Sequence, residues 1–536
     1  MTYTYVDICL CQPQHGHVGI DNHRNNDVLC RHPTADRPGG SPVTRATHAS
    51  TEAPTGASTD SGASASHQPV VPDLPLGTVA VIGAGPVGLA AAAHLLERGL
   101  DPVVLERGER AATSVRSWGH VRLFSRWSEL IDPAARRLLA GRGWTDPDPT
   151  RYPTGREWVQ DYLQPLADAL ADRVRYGATV TGVARRGRDR VVDSGREEQP
   201  FTVHVDRSDG STARLVAGAV VDASGTWTGP NPLGSDGYPA DGEREPAVAA
   251  HLSHRVPDVD AASDVTRFGG RRTAVVGSGH SALTALVALA TLAQEVPGTK
   301  AVWVLRRGGV GNAYGGGDAD QLAARGALGL RARDAVSAGL VEVVTGFRTQ
   351  AVESEDTGTV ALVAEDGRRV EGLDEVIGLT GFRPDHSIMS ELRLRLDARL
   401  EAPVGLAPLI DPNVHSCGTV YPHGASELAH EEQGVYVVGM KAYGRAPTFL
   451  ALTGYEQVRS VAAALAGDIE AASRVELTLP ETGVCGGAGL FDAPGAPDAT
   501  KADAAEAGGC CAPAVPQLVH LGAPSGGGAA CGPAGC

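Results

Sequence analysis

Val79-Ala-Val-Ile-Gly-Ala-Gly-Pro-Val-Gly-Leu-Ala90 reads as a buried strand, a tight glycine turn and the first turn of a helix. Gly83, Gly85 and Gly88 make G-x-G-x-x-G: Gly83 for the tight turn, Gly85 for close approach of a pyrophosphate, Gly88 for helix–strand packing. The helix N-terminus offers unpaired N–H groups and a positive dipole end to phosphates. The helix runs on through Ala91 to Arg98 and stops at Gly99. A second strand, Pro102-Val-Val-Leu105, ends at Glu106, 21 residues past Gly85, where an acid accepts hydrogen bonds from ribose hydroxyls. Strand, turn, helix, strand and acid in that order specify a dinucleotide-binding unit far better than the glycines by themselves.

A second fingerprint lies about 190 residues on. Thr273-Ala-Val-Val-Gly-Ser-Gly-His-Ser-Ala282 carries Gly277, Gly279 and Ala282 as G-x-G-x-x-A, again strand into helix. Its following strand, Ala301-Val-Trp-Val-Leu305, ends in Arg306-Arg307 instead of an acid. A guanidinium fork there suits the extra phosphate of NADP. Two fingerprints imply two bound nucleotides, one FAD and one NADPH.

The fold expected is α/β: two Rossmann-like dinucleotide-binding domains, the FAD domain discontinuous and the NADPH domain inserted into it. The boundaries are 1–74, a disordered extension; 75–230, first part of the FAD domain; 231–372, the NADPH domain; 373–468, second part of the FAD domain; and 469–536, a flexible cysteine-containing tail. The extension is rich in Ser, Thr, Gly, Pro, His and Asn with little apolar periodicity. Its Cys9, Cys11, Cys30 and histidines match no zinc-ligand spacing. Between the fingerprints, 157–172 has helical apolar spacing, and 179–183, 201–205 and 214–216 resemble a small antiparallel meander. Trp118 to Phe124, with Arg116, Arg122 and Arg126, either passes over a flavin and its phosphates or is packed loop. Ala219-Val-Val-Asp-Ala-Ser-Gly225 is a buried strand ending at Asp222, followed by small residues that let the chain pass close to a nucleotide. Glu375 to Asp385 ends a strand in a glycine turn at Gly381 and marks the return to the first domain. Gly434-Val-Tyr-Val-Val-Gly439 is a further buried strand, leading to an apolar helix ending at Gly467, with Pro447 suited to its first turn.

The chain has 536 residues, 42% hydrophobic and 21% charged, enough for about three structural units with a sizeable core. A net charge of −16 argues against nucleic acid and anionic membrane surfaces. No run of 18 apolar residues suggests a membrane span, and no leader-like segment opens the chain. Nine cysteines are present, none between Cys30 and Cys417. A disulfide scaffold would spread them through the core, so a reducing, cytoplasmic setting is expected.

These features together resemble the two-dinucleotide-binding-domain flavoproteins, and within them the class B flavin-dependent monooxygenases, over residues 77–467. The likeness rests on Gly83 to Gly88 with Glu106, on Gly277 to Ala282 with Arg306-Arg307, and on Asp222 to Gly225 and Leu379 to Arg383, which are similar to the family's linker motifs. Tyr436-Val-Val-Gly-Met-Lys-Ala-Tyr-Gly-Arg-Ala-Pro-Thr-Phe-Leu450 with Thr453 to Gln457 looks like the flavin monooxygenases found with arsenic-resistance functions, the ArsO-like group. Two departures stand out. The monooxygenase signature around a histidine is not intact, with only His251 or His254 to stand for it, and the late Gly-Asp is Gly439-Met440.

The resemblance implies that Gly83, Gly85, Pro86, Val87, Gly88, Glu106, Arg107, Asp222, Gly381 and Gly439 line the FAD site. It implies that Gly277, Gly279, His280, Ser281, Arg306 and Arg307 line the NADPH site, and that Asn231 lies near the flavin as the catalytic candidate. His280 borders the pyrophosphate or nicotinamide, or simply caps its helix. The implied cycle runs from NADPH to FAD, then from reduced flavin and O₂ to a C4a-(hydro)peroxide, which passes one oxygen to a small-molecule substrate. Two other readings stand beside it: a disulfide or metal-ion reductase on the same fold, and a flavin-bearing redox sensor. The vicinal Cys510-Cys511 resemble those of mercuric reductases and either suit soft metalloid contact or are inert tail thiols. Oligomeric state is not legible in the sequence.

Overall fold

The first fingerprint folds as a strand, a turn and a helix. In the computed structural model, which describes residues 77–320, 322–414, 423–446 and 449–477, β1 (Thr78–Ile82) is buried along its whole length and passes through the glycine turn into α1 (Pro86–Glu97). Pro86 occupies the first turn, where its missing N–H costs nothing. Gly99, at φ +74°, closes the helix, and Leu100 N–H donates to the Leu95 carbonyl. β2 (Asp101–Leu105) then lies parallel to β1, with Ile82 opposite Leu105. After a helical segment over 155–170, β3 (Val174–Arg175) extends the sheet beside β2. The meander folds as three antiparallel strands, β4 (Ala178–Arg185), β5 (Phe201–Arg207) and β6 (Thr212–Ala217). The chain then returns along β7 (Ala219–Asp222) on the other side of β1.

The second lobe begins with β8 (Leu252–Ser253) and β9 (Arg272–Val276). The second fingerprint joins β9 to α2 (His280–Glu295), which leads to β10 (Lys300–Val304) and later β11 (Val341–Val344). A small antiparallel sheet follows: β12 (Thr349–Ser354), β13 (Val360–Ala364) and β14 (Arg369–Leu373). β15 (Glu375–Gly378) completes a parallel sheet in the order β11-β10-β9-β15-β8. Alternation along its strands divides the core. Val275, Ala301 and Trp303 pack with α2, whereas Ala274, Val276, Val302 and Val304 pack with the β12–β14 sheet.

Beyond β15 the chain crosses back. β16 (Val435–Val437) pairs with β7 and completes the first sheet in the order β16-β7-β1-β2-β3, and α3 (Ala451–Leu465) packs against α1. Two α/β sheets of mainly parallel strands, the second inserted into the first, make this a two-dinucleotide-binding-domain fold.

One boundary differs from the sequence expectation. The strand Glu375–Gly378, assigned above to the return, belongs to the inserted lobe, because Val376 pairs with Ala274 of β9 and with Leu252 of β8. The return starts after Gly378, not at 373. The extension 1–74, Pro447, Cys417 and the tail cysteines, Cys510 and Cys511 included, lie outside the described residues.

Candidate functional site

Both glycine turns sit at the carboxyl edges of their sheets, where open α/β sheets bind ligands. The first is held by backbone: Gly83 N–H donates to the Leu105 carbonyl at 2.8 Å. A Cβ at Gly88 would lie 1.9 Å from the Gly83 carbonyl oxygen, so only glycine lets α1 approach. A Cβ at Gly85 would meet nothing within 4 Å. That position is open toward the space a pyrophosphate would fill, above the N-terminus of α1. Gly279 is equally open at the start of α2, while a Cβ at Gly277 would lie 2.3 Å from the Leu379 carbonyl oxygen. Each turn thus has one glycine with clear space beside crowded ones, two in the first turn and one in the second, and the residues present fit a dinucleotide at both.

Glu106 is buried at the end of β2. Its carboxylate accepts from Ala84 N–H (2.8 Å) and Gly108 N–H (2.9 Å), so the acid that would face a ribose is fixed by the turn it serves. Arg107 beside it is exposed. Arg306 is exposed at the end of β10 and donates to the Ser235 carbonyl at 3.2 Å; Arg307 is half-buried. Ser281 is exposed at the first turn of α2.

His280 is half-buried at the start of α2. Its ring meets Phe124 edge-on at 5.4 Å, and Val121 and Phe124 pack against the core of the second lobe. The 118–124 segment therefore links the lobes, with Trp118 packed on the core of the first. Burial, then the nearby Arg325 guanidinium, pulls the His280 imidazole down to about 4, so it is neutral at physiological pH. Arg325 itself forms a buried pair with Asp320. His251 and His254 bind backbone instead: their Nδ1 atoms lie 2.8 Å from the Asp374 carbonyl and 3.0 Å from the Gly378 carbonyl.

Asn231 stands where the two inter-lobe crossings meet. Its amide donates to the Thr380 carbonyl (2.9 Å) and accepts from Arg383 Nε (2.6 Å); its backbone N–H donates to the Gly381 carbonyl. Thr380 Oγ1 donates back to the Asn231 carbonyl (2.8 Å), and Trp227 stacks on Phe382 at 5.0 Å. Gly381, at φ +96°, takes a backbone conformation that side chains disfavour.

Sequence reasoning missed the feature that joins Asp222 to the return segment. Lys441 Nζ lies 2.6 Å from Asp222 Oδ2 and 3.1 Å from Ser224 Oγ, with side chains 2% and 0% exposed for the Lys–Asp pair. The replacement of the late acid by Gly439-Met440 was visible in the sequence; the cation one residue further on was the available signal. His386 lies close enough that burial, then Lys441, lowers its imidazole. Gly439, at φ +71°, would place a Cβ 3.3 Å from Val87, so the return segment runs against the first turn of α1.

Comparison with known proteins agrees with this geometry. A family model described as pyridine nucleotide-disulphide oxidoreductase matches residues 80–404. The indole-3-pyruvate monooxygenase YUCCA1 of Oryza sativa subsp. japonica is 35% identical over 106 residues, which span 19% of this chain and 24% of the rice protein. Among solved structures, the bacillithiol disulfide reductase Bdr of Bacillus cereus is 19% identical, covering 73% of this chain and 98% of its own, with a TM-score of 0.54. The cadaverine monooxygenase DfoA of Erwinia amylovora, solved with FAD, is 16% identical, covering 76% and 99%, with a TM-score of 0.51. At such identities these two structures establish the fold and leave the reaction open.

Proposed function

The chain belongs to the pyridine nucleotide-disulphide oxidoreductase family, and from that premise we propose that it is an FAD- and NADPH-dependent monooxygenase. One observation carries the choice of reaction: no cysteine occurs between Cys30 and Cys417. The lobes that hold the nucleotides therefore lack a thiol pair to take electrons from a reduced flavin, which favours a diffusible acceptor. When bound, FAD accepts hydride from NADPH and supplies the activation of dioxygen.

The protein's own share is binding, orientation and exclusion of water. The 83–88 turn and the N-terminus of α1 hold a pyrophosphate, while Glu106 orients a ribose. The 277–282 turn, with Arg306 and Arg307 on the 2′-phosphate, holds NADPH. Neutral His280 presents an uncharged edge beside Phe124 and adds no cation to compete for the phosphates. The crossings around Asn231 and Phe382 set the lobes in register, which is where a nicotinamide-to-flavin transfer gains its rate.

The substrate class to test first is a trivalent organoarsenical, on the resemblance of residues 436–457; sulfur, amine and ketone compounds follow. We place the enzyme in the cytoplasm, on its cysteine distribution; no described helix is long and apolar enough to cross a membrane. The deciding experiment incubates the purified, FAD-loaded protein with NADPH, ¹⁸O₂ and each substrate. The proposal expects substrate-dependent oxygen uptake and one labelled oxygen in the product. Hydrogen peroxide as the sole product, or NADPH-dependent reduction of disulfides or Hg²⁺ lost in a Cys510→Ser/Cys511→Ser variant, would replace it with an oxidase or a reductase.

A further inference from the structure

Lysine is scarce in this protein: of 47 lysines and arginines only three are lysines, at 300, 441 and 501. One of the three is the buried Lys441. An ammonium has three N–H donors. Two are directed to Asp222 Oδ2 and Ser224 Oγ, and Asp222 Oδ1 accepts from Ser224 N–H at 3.0 Å. The third has no acceptor among the described residues, although the side chain is almost wholly shielded from water. A buried ion pair contributes little to stability that apolar side chains could not, so its presence calls for another reason.

Its position supplies one. The Asp222–Gly225 turn lies under the first glycine turn: a Cβ at Gly83 would be 2.9 Å from the Ala223 carbonyl oxygen. The segment carrying Lys441 runs against Val87 at the start of α1. Ser224 is exposed at the crevice. The ammonium thus sits between the two segments that flank the dinucleotide turn, at the carboxyl edge of β7 and β16.

We propose that Lys441, held by Asp222, is an FAD-binding residue whose third N–H is donated to an oxygen of the ribityl–diphosphate chain. The pair takes the place of the acid that Met440 displaces. A compact ammonium suits a single oxygen in a confined space better than a forked guanidinium. The inference rests on the reading of the first lobe as an FAD site.

The test uses the full chain stripped of flavin and titrated with FAD by fluorescence. Lys441→Met weakens FAD binding at least tenfold. Because that variant leaves Asp222 buried and unpaired, Asp222→Asn/Lys441→Met is measured beside it and shows the same loss. Unchanged affinity in the double variant overturns the proposal. If the unaltered protein binds no FAD, the function proposed above fails; if it binds FAD and the double variant binds as well, only the role of Lys441 fails.

Discussion

Glycines of one motif do different work, and the difference is measurable one residue at a time. Gly85 and Gly279 have clear space where a Cβ would go, whereas Gly88 has a carbonyl oxygen 1.9 Å away. Gly85→Ala should therefore leave the flavin-free protein with its usual melting temperature and weaken FAD by roughly a hundredfold, about 3 kcal/mol. Gly279→Ala should do the same to the KM for NADPH with FAD unaffected. Gly88→Ala should instead lower stability itself, by about 1–3 kcal/mol or more, since helix and turn must part. Calorimetry of the stripped proteins with ligand titration separates the cases; a destabilised Gly85→Ala would show that its clearance is not reserved for a ligand. The imidazoles give a second test. Burial, first of all, pulls His280 and His430 down to about 4, and His430 Nδ1 accepts from Arg395 N–H, a bond the protonated ring cannot make. The unfolded chain protonates both near the ordinary value of about 6.5. Between those limits the unfolded state binds more protons. Their stabilising contribution is thus full above pH 6.5 and is lost as pH falls toward 4, at about 2 kcal/mol per pH unit near pH 5. Urea titrations at pH 7, 6 and 5 should show that slope, and His430→Gln should roughly halve it; a flat profile would place both rings in water.

At the scale of elements, what could be read in advance followed sequence distance. The strand–turn–helix units were legible because their glycines, apolar runs and terminal charges are close neighbours in the sequence, from Val79 to Glu106 and from Thr273 to Arg307. The β4–β6 meander was legible from short β-like pieces, and α3 from an apolar run ended by Gly467. The partners that hold elements together were not. Arg185 of β4 and Arg196 in the following loop converge on Glu432, just before β16, at 2.7 Å and 2.6 Å with all three side chains buried. Nothing local in the sequence links residues about 240 positions apart. Arg185 also lies over the Phe201 ring at 3.9 Å, so one guanidinium joins β4, β5 and the return segment. Burial pushes the Glu432 carboxyl up, but the bonds from Arg196 and Arg185 outweigh it and hold the group below the usual carboxylate range. Glu432→Ala would leave two buried guanidinium groups without their anion, at a cost of about 3–5 kcal/mol. Thermal unfolding of the variant should show that loss, and Glu432→Gln, which keeps an acceptor oxygen, a smaller one. A loss below about 1 kcal/mol in Glu432→Ala would mean that water reaches the cluster.

For the whole molecule the question is how two nucleotide-binding lobes act on each other. Among the described residues two junctions stand out. One is the paired crossings, where Asn231, Thr380 and Arg383 bond reciprocally, Pro230 bridges Phe382, and Trp227 stacks on Phe382. The other is the contact of Phe124, from the first lobe, with His280 at the head of α2. The sequence reading gave Asn231 to the flavin; in the structure its side chain bonds to Thr380 and Arg383 of the opposite crossing. The paired crossings lie outside both glycine turns, so loosening them should spare the binding of each nucleotide. It should instead degrade their mutual alignment, on which transfer rates depend steeply: a displacement near 1 Å costs about a hundredfold. Phe382→Ala removes the stacked ring and Asn231→Ala the reciprocal bonds. Each should slow flavin reduction by roughly tenfold to a hundredfold, with the FAD Kd and the NADPH dependence unchanged. Stopped-flow loss of flavin absorbance, with NADPH and with its 4-deuterated form, reads this directly: a slower rate with a larger isotope effect marks a hydride step made limiting by misalignment. A slower rate with a weaker FAD Kd would return Asn231 to the flavin site, and an unchanged rate in both variants would mean that the 118–124 segment holds the register without the crossings.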